Sequence, residues 1–356
     1  MNDFSLCDNA FNINFLPRLM KWSPDGSSLI ASSFSNNLTI FNKMSMNSIE
    51  QEDRTEIAFL NKVDLTFPKA VTNYSWYPLM NFEDPSSCCF ACIVPFQPIQ
   101  LVDSNSGRIR SMYHCQYNNY PASLTSVVFN GGSLLAGGTR TLFECPIQRS
   151  GCLGKPVIEC PGSVMTITSH PVSAYLALGI STGDIVFIDS RNYQVIFSDK
   201  FHNHAVDQIA WTNSSSFSSQ DIVFLSARLE NEVIGLDTRM PNIPITVIET
   251  KRNTSRIISL SCSNYENDKC FLFVGNEEEG AKVLDIKADT QLLGSIGNGP
   301  TPLAVYNKKM NVVAVASGKH EIIENEYDYS DDDNEKNIEV TFEPKLNSFQ
   351  IYIRKK

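Results

Sequence analysis

The sequence predicts an all-β protein made by radial repetition, a β-propeller of seven blades, and three observations predict it. Short apolar runs separated by turn residues recur along the chain, with hardly any helical period. The runs return in a fixed order at intervals of about 40 to 55 residues. Sheets repeated in that number bury both faces only when arranged around an axis.

Each blade is recognised by its first strand. The seven openings are "LMKWSPDG" (19–26), "AVTNYSWYP" (70–78), "LTSVVFNGG" (124–132), "VMTITSHP" (164–171), "VDQIAWTN" (206–213), "IISLSCSN" (257–264) and "PLAVYNKK" (302–309). Second strands end in small residues, as in "SLIASSF" (28–34) and "IVFLSA" (222–227). Third strands end at an aspartate: Asp103, Asp189, Asp237 and Asp285. This order and spacing are those of WD-type repeats, here degenerate, since no blade has the full Trp-Asp ending and Gly-His openings are missing. The last blade takes "NSFQIYI" (347–353) as its third strand, and little chain remains for a fourth. An N-terminal strand is therefore expected to complete it, with "FNINF" (11–15) the candidate, removing the open sheet edge.

Composition agrees. The chain has 356 residues, 42% hydrophobic and only 19% charged, enough to bury a large core and too apolar for wholesale disorder. No apolar run approaches the ~18 residues of a membrane helix. The start "MNDFSLCDNAFN" has neither a basic nor an apolar signal region, so a soluble intracellular chain is expected, folded as one propeller over 1–356. The net charge of −10 is localised: 321–343 holds ten acidic residues against one lysine. That stretch reads as a disordered loop inserted in the last blade, and the rest of the chain is nearly neutral.

Catalytic patterns are missing. The sequence contains no G-x-S-x-G, P-loop, H-E-x-x-H or dinucleotide fingerprint, and its five histidines have no metal spacing. Cys88, Cys89 and Cys92 form a C-x-x-C without a second pair, and they read as small hydrophobes of a buried strand. No enzyme, cofactor or metal is expected. A propeller offers instead rigid loops on two rims. The turns between second and third strands emerge together on one face, carrying Arg140 of the third blade and Arg228 of the fifth, and the acidic segment leaves the same face. Arginine there can fork to phosphate or stack on a base, or remain solvated or internally paired. His202 and His204 precede the fifth opening, where histidine either fixes its own blade or meets a partner. Tyr117, Tyr120, Trp76 and Tyr77 are aromatic candidates, although residues in strand openings are mostly core. Ser330, followed by three aspartates, is a candidate for acidophilic phosphorylation.

Several stretches resemble the telomerase Cajal body protein family of WD-repeat proteins. The most specific, 73–118, places Tyr74, Trp76, Tyr77, Met80, Pro98, Ile99, Asp103, Gly107, Arg110, Tyr117 and Asn118 on that family's pattern. "GGTRTLFECPI" (137–147), "LSARLENEVIGLDTRMP" (225–241) and "VVAVASGKHEI" before the acidic insertion are similar to its later blades. The chain starts almost at the propeller, as a compact fungal-type relative would. The resemblance implies a non-catalytic nuclear scaffold, with some cytoplasmic presence allowed. It would bind small non-coding RNA, either box H/ACA guide RNA or telomerase RNA, and serve ribonucleoprotein biogenesis. Compact relatives imply an alternative, a platform for splicing and small nuclear ribonucleoprotein components that does not touch RNA. Carried over, Arg140 and Arg228 are the leading RNA-face residues, with His202 and His204 next. Arg239, on the opposite rim, is the weakest. Partners are thus a small RNA or ribonucleoprotein proteins, the membrane plays no part, and the chain is expected to be monomeric.

Overall fold

The computed structural model describes residues 4–9, 13–49, 54–212, 221–263, 270–286, 290–326 and 338–354. These form seven four-stranded antiparallel blades. The strands of a blade are called a to d from the axis outward. Strand a comes first in sequence: Pro17–Trp22, Asn73–Trp76, Leu124–Asn130, Val164–Ser169, Val206–Trp211, Leu260–Cys262 and Leu303–Asn307 in blades 1 to 7. Most of these strands line an axial cavity of about 350 Å³. Among the described residues there is no helix, and none long and apolar enough to cross a membrane.

The burial pattern explains why these segments choose sheets. Strands b are buried on both faces, as in Leu29–Ser33, Cys89–Ile93 and Ile222–Ala227, so they read as continuous apolar runs rather than alternating ones. Cys88, Cys89 and Cys92 are buried there, and burial pushes the thiols up, to about 11 for Cys89 and about 12 for Cys92. Seven apolar clusters hold the ring, each between consecutive blades; one joins Leu19, Ile30 and Leu38 of blade 1 to Tyr74, Trp76 and Phe90 of blade 2.

The three tryptophans have a shared role. Each ends a strand a and donates its indole N–H to strand a of the blade before it. Trp22 bonds Val305 O (3.0 Å), Trp76 bonds Lys21 O (3.1 Å) and Trp211 bonds Thr168 Oγ1 (2.9 Å). A buried indole needs such a partner, and here the partner fixes blade-to-blade spacing. Trp76 is therefore core, and Tyr77 packs edge-on against Phe129 at 5.5 Å, so neither is a free stacking surface.

An N-terminal strand does close the ring, but not the expected one. Phe4–Asn9 pairs antiparallel with strand c of blade 7, Ile338–Arg354, in the register Phe4 opposite Arg354. The reason is distance. From the d position of blade 7 the chain must cross three inter-strand gaps, about 14 Å, to begin strand a of blade 1 at Pro17. The residues just before Pro17 are needed for that crossing, with Ile13 and Leu16 buried on the way. Strands b and c of blade 7, Val312–Glu326 and Ile338–Arg354, continue as a long hairpin, pairing Glu321 with Glu343 and Glu326 with Ile338. The flanks of the acidic stretch thus lie in this ladder. Residues 327–337, with Ser330, lie outside the described residues.

Candidate functional site

The b–c and d–a connections open on one face, around the end of the axis. There the d–a loop entering blade 6, the b–c turns of blades 5 and 1, and the start of blade 1 enclose a mouth of about 560 Å³. Arg18, Arg228, Arg256 and Phe34 line it.

Arg228 ties the mouth to a buried carboxylate. Asp207, second residue of strand a in blade 5, lies 3.5 Å from Arg252 Nη2 and 3.5 Å from Arg228 Nε. Arg252 is fully buried, its guanidinium also donating to Ala227 O and to Ser226 Oγ. Burial pushes the Asp207 carboxyl up, against the pull of Arg252 and Arg228. Arg256 is 5% exposed; its Nη2 donates to Pro17 O (3.1 Å) and its guanidinium lies 5.4 Å from the centre of the Phe34 ring. Burial draws its value down to about 9. Arg18, at the start of blade 1, is lowered as well, by burial first and then by Arg228. Among the described residues no carboxylate forms an ion pair with Arg18 or Arg256. Buried cations without counterions are costly, so the mouth favours an anion entering it.

Nearby acids are already engaged. Glu277, in the b–c turn of blade 6, accepts from Asn253 N (2.6 Å), Thr254 N (2.8 Å) and Thr254 Oγ1 (2.5 Å). The same device holds blade 5. Glu230 accepts from Asn203 N (2.6 Å) and His204 N (2.8 Å), and its second oxygen lies 2.5 Å from His202 Nδ1. Burial would raise Glu230, but the bond and charge of His202 with the two backbone N–H groups outweigh it and hold the carboxyl below its ordinary value.

The two histidines differ in exposure. The His202 side chain is fully buried in the clamp with Glu230. His204 is half exposed, with Nδ1 3.2 Å from Glu230. Arg228 is where the sequence placed it, on the rim, and one-third exposed. Arg140 sits two blades away on the b–c turn of blade 3, exposed and at φ 57°. Its neighbour Thr141 lines a shallow cavity with Tyr117 and Asn118, and Tyr117 and Tyr120 are exposed beside it. Arg239 is on the opposite face, locked to Asp237 at 2.6 Å. The sequence reading missed Arg18, Arg252, Arg256 and Phe34. The basic run "KRNTSR" (251–256) was the available signal for two of them.

No family model matches the chain. Among curated proteins it is 24% identical over 317 residues to the telomerase Cajal body protein 1 homologue of Drosophila melanogaster, covering 84% of this chain and 56% of that one. It is 30% identical over 149 residues to telomerase Cajal body protein 1 of Mesocricetus auratus, covering 40% of this chain and 27% of that one. The chain is thus similar to telomerase Cajal body proteins, in one case along most of its length. It is also 28% identical over 136 residues to a guanine nucleotide-binding protein negative regulator 1 of Schizosaccharomyces pombe, covering 37% and 34% of the two chains. The matches thus span from about a quarter to just over half the length of these relatives. Two solved structures share the fold: a chain of a mitotic checkpoint complex (TM-score 0.61, 11% identity, 88% and 87% covered) and U3-55K (TM-score 0.64, 9% identity, 99% and 98% covered). The likeness to these solved structures agrees with a WD-type propeller, and the polar mouth lies at its b–c turn end.

Proposed function

We propose that this protein is a non-catalytic, nuclear WD-repeat scaffold of a ribonucleoprotein that binds a small non-coding RNA across the b–c turn face. A guide RNA of the box H/ACA type or a telomerase RNA is the class that the homology favours. The observation that carries the reading is the mouth: Arg18, Arg228 and Arg256 converge on it, while Asp207 behind Arg228 is already shared by Arg252 and Glu277 is engaged by Asn253 and Thr254. An RNA phosphate satisfies such a set, and Arg140 with Tyr117 and Tyr120 extends the face over blades 2 and 3.

The test is crosslinking of the native protein to RNA under stringent purification, with binding of the recovered RNA measured against salt. Arg228→Ala or Arg18→Ala should weaken binding roughly tenfold and reduce the salt slope by about one ion. Wild-type protein that recovers no RNA above an untagged control would refute the reading. A second reading, a protein platform of splicing particles without RNA contact, has its own observation. The outer strands of blades 4 and 5 expose Val195, Ile196, Ile245 and Val247, surface suited to protein partners. On that reading partners co-purify after ribonuclease treatment and Arg228→Ala leaves their recovery unchanged.

A further inference from the structure

The b–c turn of blade 2 displays a side chain that its own backbone disfavours. Gln97 N donates to Val94 O (3.1 Å), closing a turn whose central residues are Pro95 and Phe96. With proline at the first central position and φ 64° at the second, this is a type II turn, and its second central position is normally glycine. Phenylalanine there costs energy relative to glycine, and its ring is 82% exposed. The contact found on the ring is with a cation: Lys69 Nζ lies 4.4 Å from the ring centre. Equivalent turns show the contrast. Blade 4 uses Gly183 at φ 95°, whereas blades 3 and 5 present Arg140 at φ 57° and Leu229 at φ 60°. The turn position that glycine would fill most easily is thus given to projecting side chains on the proposed RNA face.

A continuous path joins this ring to the arginine mouth. Arg256 lies over Phe34, which opens the b–c turn of blade 1. Two residues on, Asn36 O accepts from Phe67 N (2.8 Å), and Phe67 begins the d–a loop that carries Lys69 to Phe96. The b–c turn of blade 1 thus lies between the mouth and Phe96.

We propose that Phe96 is a base-stacking platform for a single-stranded nucleotide, with Lys69 beside it taking the adjoining phosphate. This rests on the RNA reading of the b–c turn face. Every base offers a π-face to an aromatic ring, and a neighbouring cation suits the phosphate that comes with it.

Binding of fluorescein-labelled, mixed-sequence single-stranded RNA to the full chain tests the platform, alongside thermal unfolding. Phe96→Gly should weaken binding roughly tenfold while the melting midpoint holds or rises, because glycine relieves the turn. Phe96→Trp should restore binding. Photocrosslinking of iodouridine-substituted RNA to the unmodified protein should place an adduct on the peptide containing Phe96. Wild-type affinity in Phe96→Gly, with Arg228→Ala weakened, overturns the platform and leaves the RNA reading standing. No RNA binding by the wild type overturns both. A fall in midpoint that accompanies the loss of binding, or loss of a co-purifying protein at unchanged RNA affinity, also overturns the platform.

Discussion

Arginine lies on both faces of the ring, and the two faces use it in opposite ways. On the c–d face three of the third-strand aspartates each capture an arginine of their own blade. Arg191 pairs with Asp189 at 2.5 Å, Arg239 with Asp237 at 2.6 Å and Arg110 with Asp103 at 2.6 Å, and Arg191 holds the Asp189 carboxyl at about 2. Arg110 also donates to Ser86 O, Pro85 O and Cys88 O. These guanidinium groups are spent within their own blade. On the b–c face Arg228 and Arg252 share Asp207, and Arg18 and Arg256 come in beside them without an ion pair among the described residues. The difference teaches that an arginine held within one blade is locked to its aspartate, at Asp-x-Arg spacing in two of the three pairs. Arginines drawn together from different blades are not matched one to one by carboxylates.

The comparison breaks most visibly at Asp207. Asp207→Asn leaves Arg252 buried and uncompensated, and denaturant unfolding should show a loss of about 3–5 kcal/mol. Next is Arg110→Ala, which removes one ion pair and three carbonyl contacts from a partly buried site; a loss of about 1–2 kcal/mol is expected in the same assay. Acid titration gives a smaller effect. Because Glu230 titrates below its ordinary value in the folded state, its contribution is complete above the ordinary glutamate value and is lost as pH falls through the folded one. Glu230→Gln should flatten that part of the acid limb, and an unchanged profile would assign the acid sensitivity elsewhere. The smallest effect is at Arg239→Ala on the exposed c–d rim: neither melting midpoint nor RNA affinity should move. Weakened RNA affinity there would erase the contrast between the faces.

Much of the frame could be read from the chain itself. The seven openings correspond to the seven a strands, and Asp103, Asp189, Asp237 and Asp285 do end c strands, because both are set by local alternation and turn chemistry. Arg228 was legible because a turn between two clear strands has only one face to emerge on. Arg256 and Arg18 were not, since Arg256 meets Pro17 across 239 residues and only ring closure brings them together. The closing strand was misjudged for a related reason. "FNINF" alternates convincingly, but the width of a blade, a property of the assembled sheet, decides which residues must make the crossing. Phe96 was hidden because a Pro-flanked turn announces its shape and says nothing of the side chain that it holds up.

Ring closure also sets an order in time. Phe4–Asn9 is made before six blades and its ladder partner, Ile338–Arg354, after them. While those six blades are made the earlier strand has no seat in its own blade. The clasp therefore closes a loop that contains the other six blades, the slowest kind of contact to form. A fusion or truncation reaching that strand acts on the latch of the whole ring, while a lesion in a middle blade acts on two neighbours.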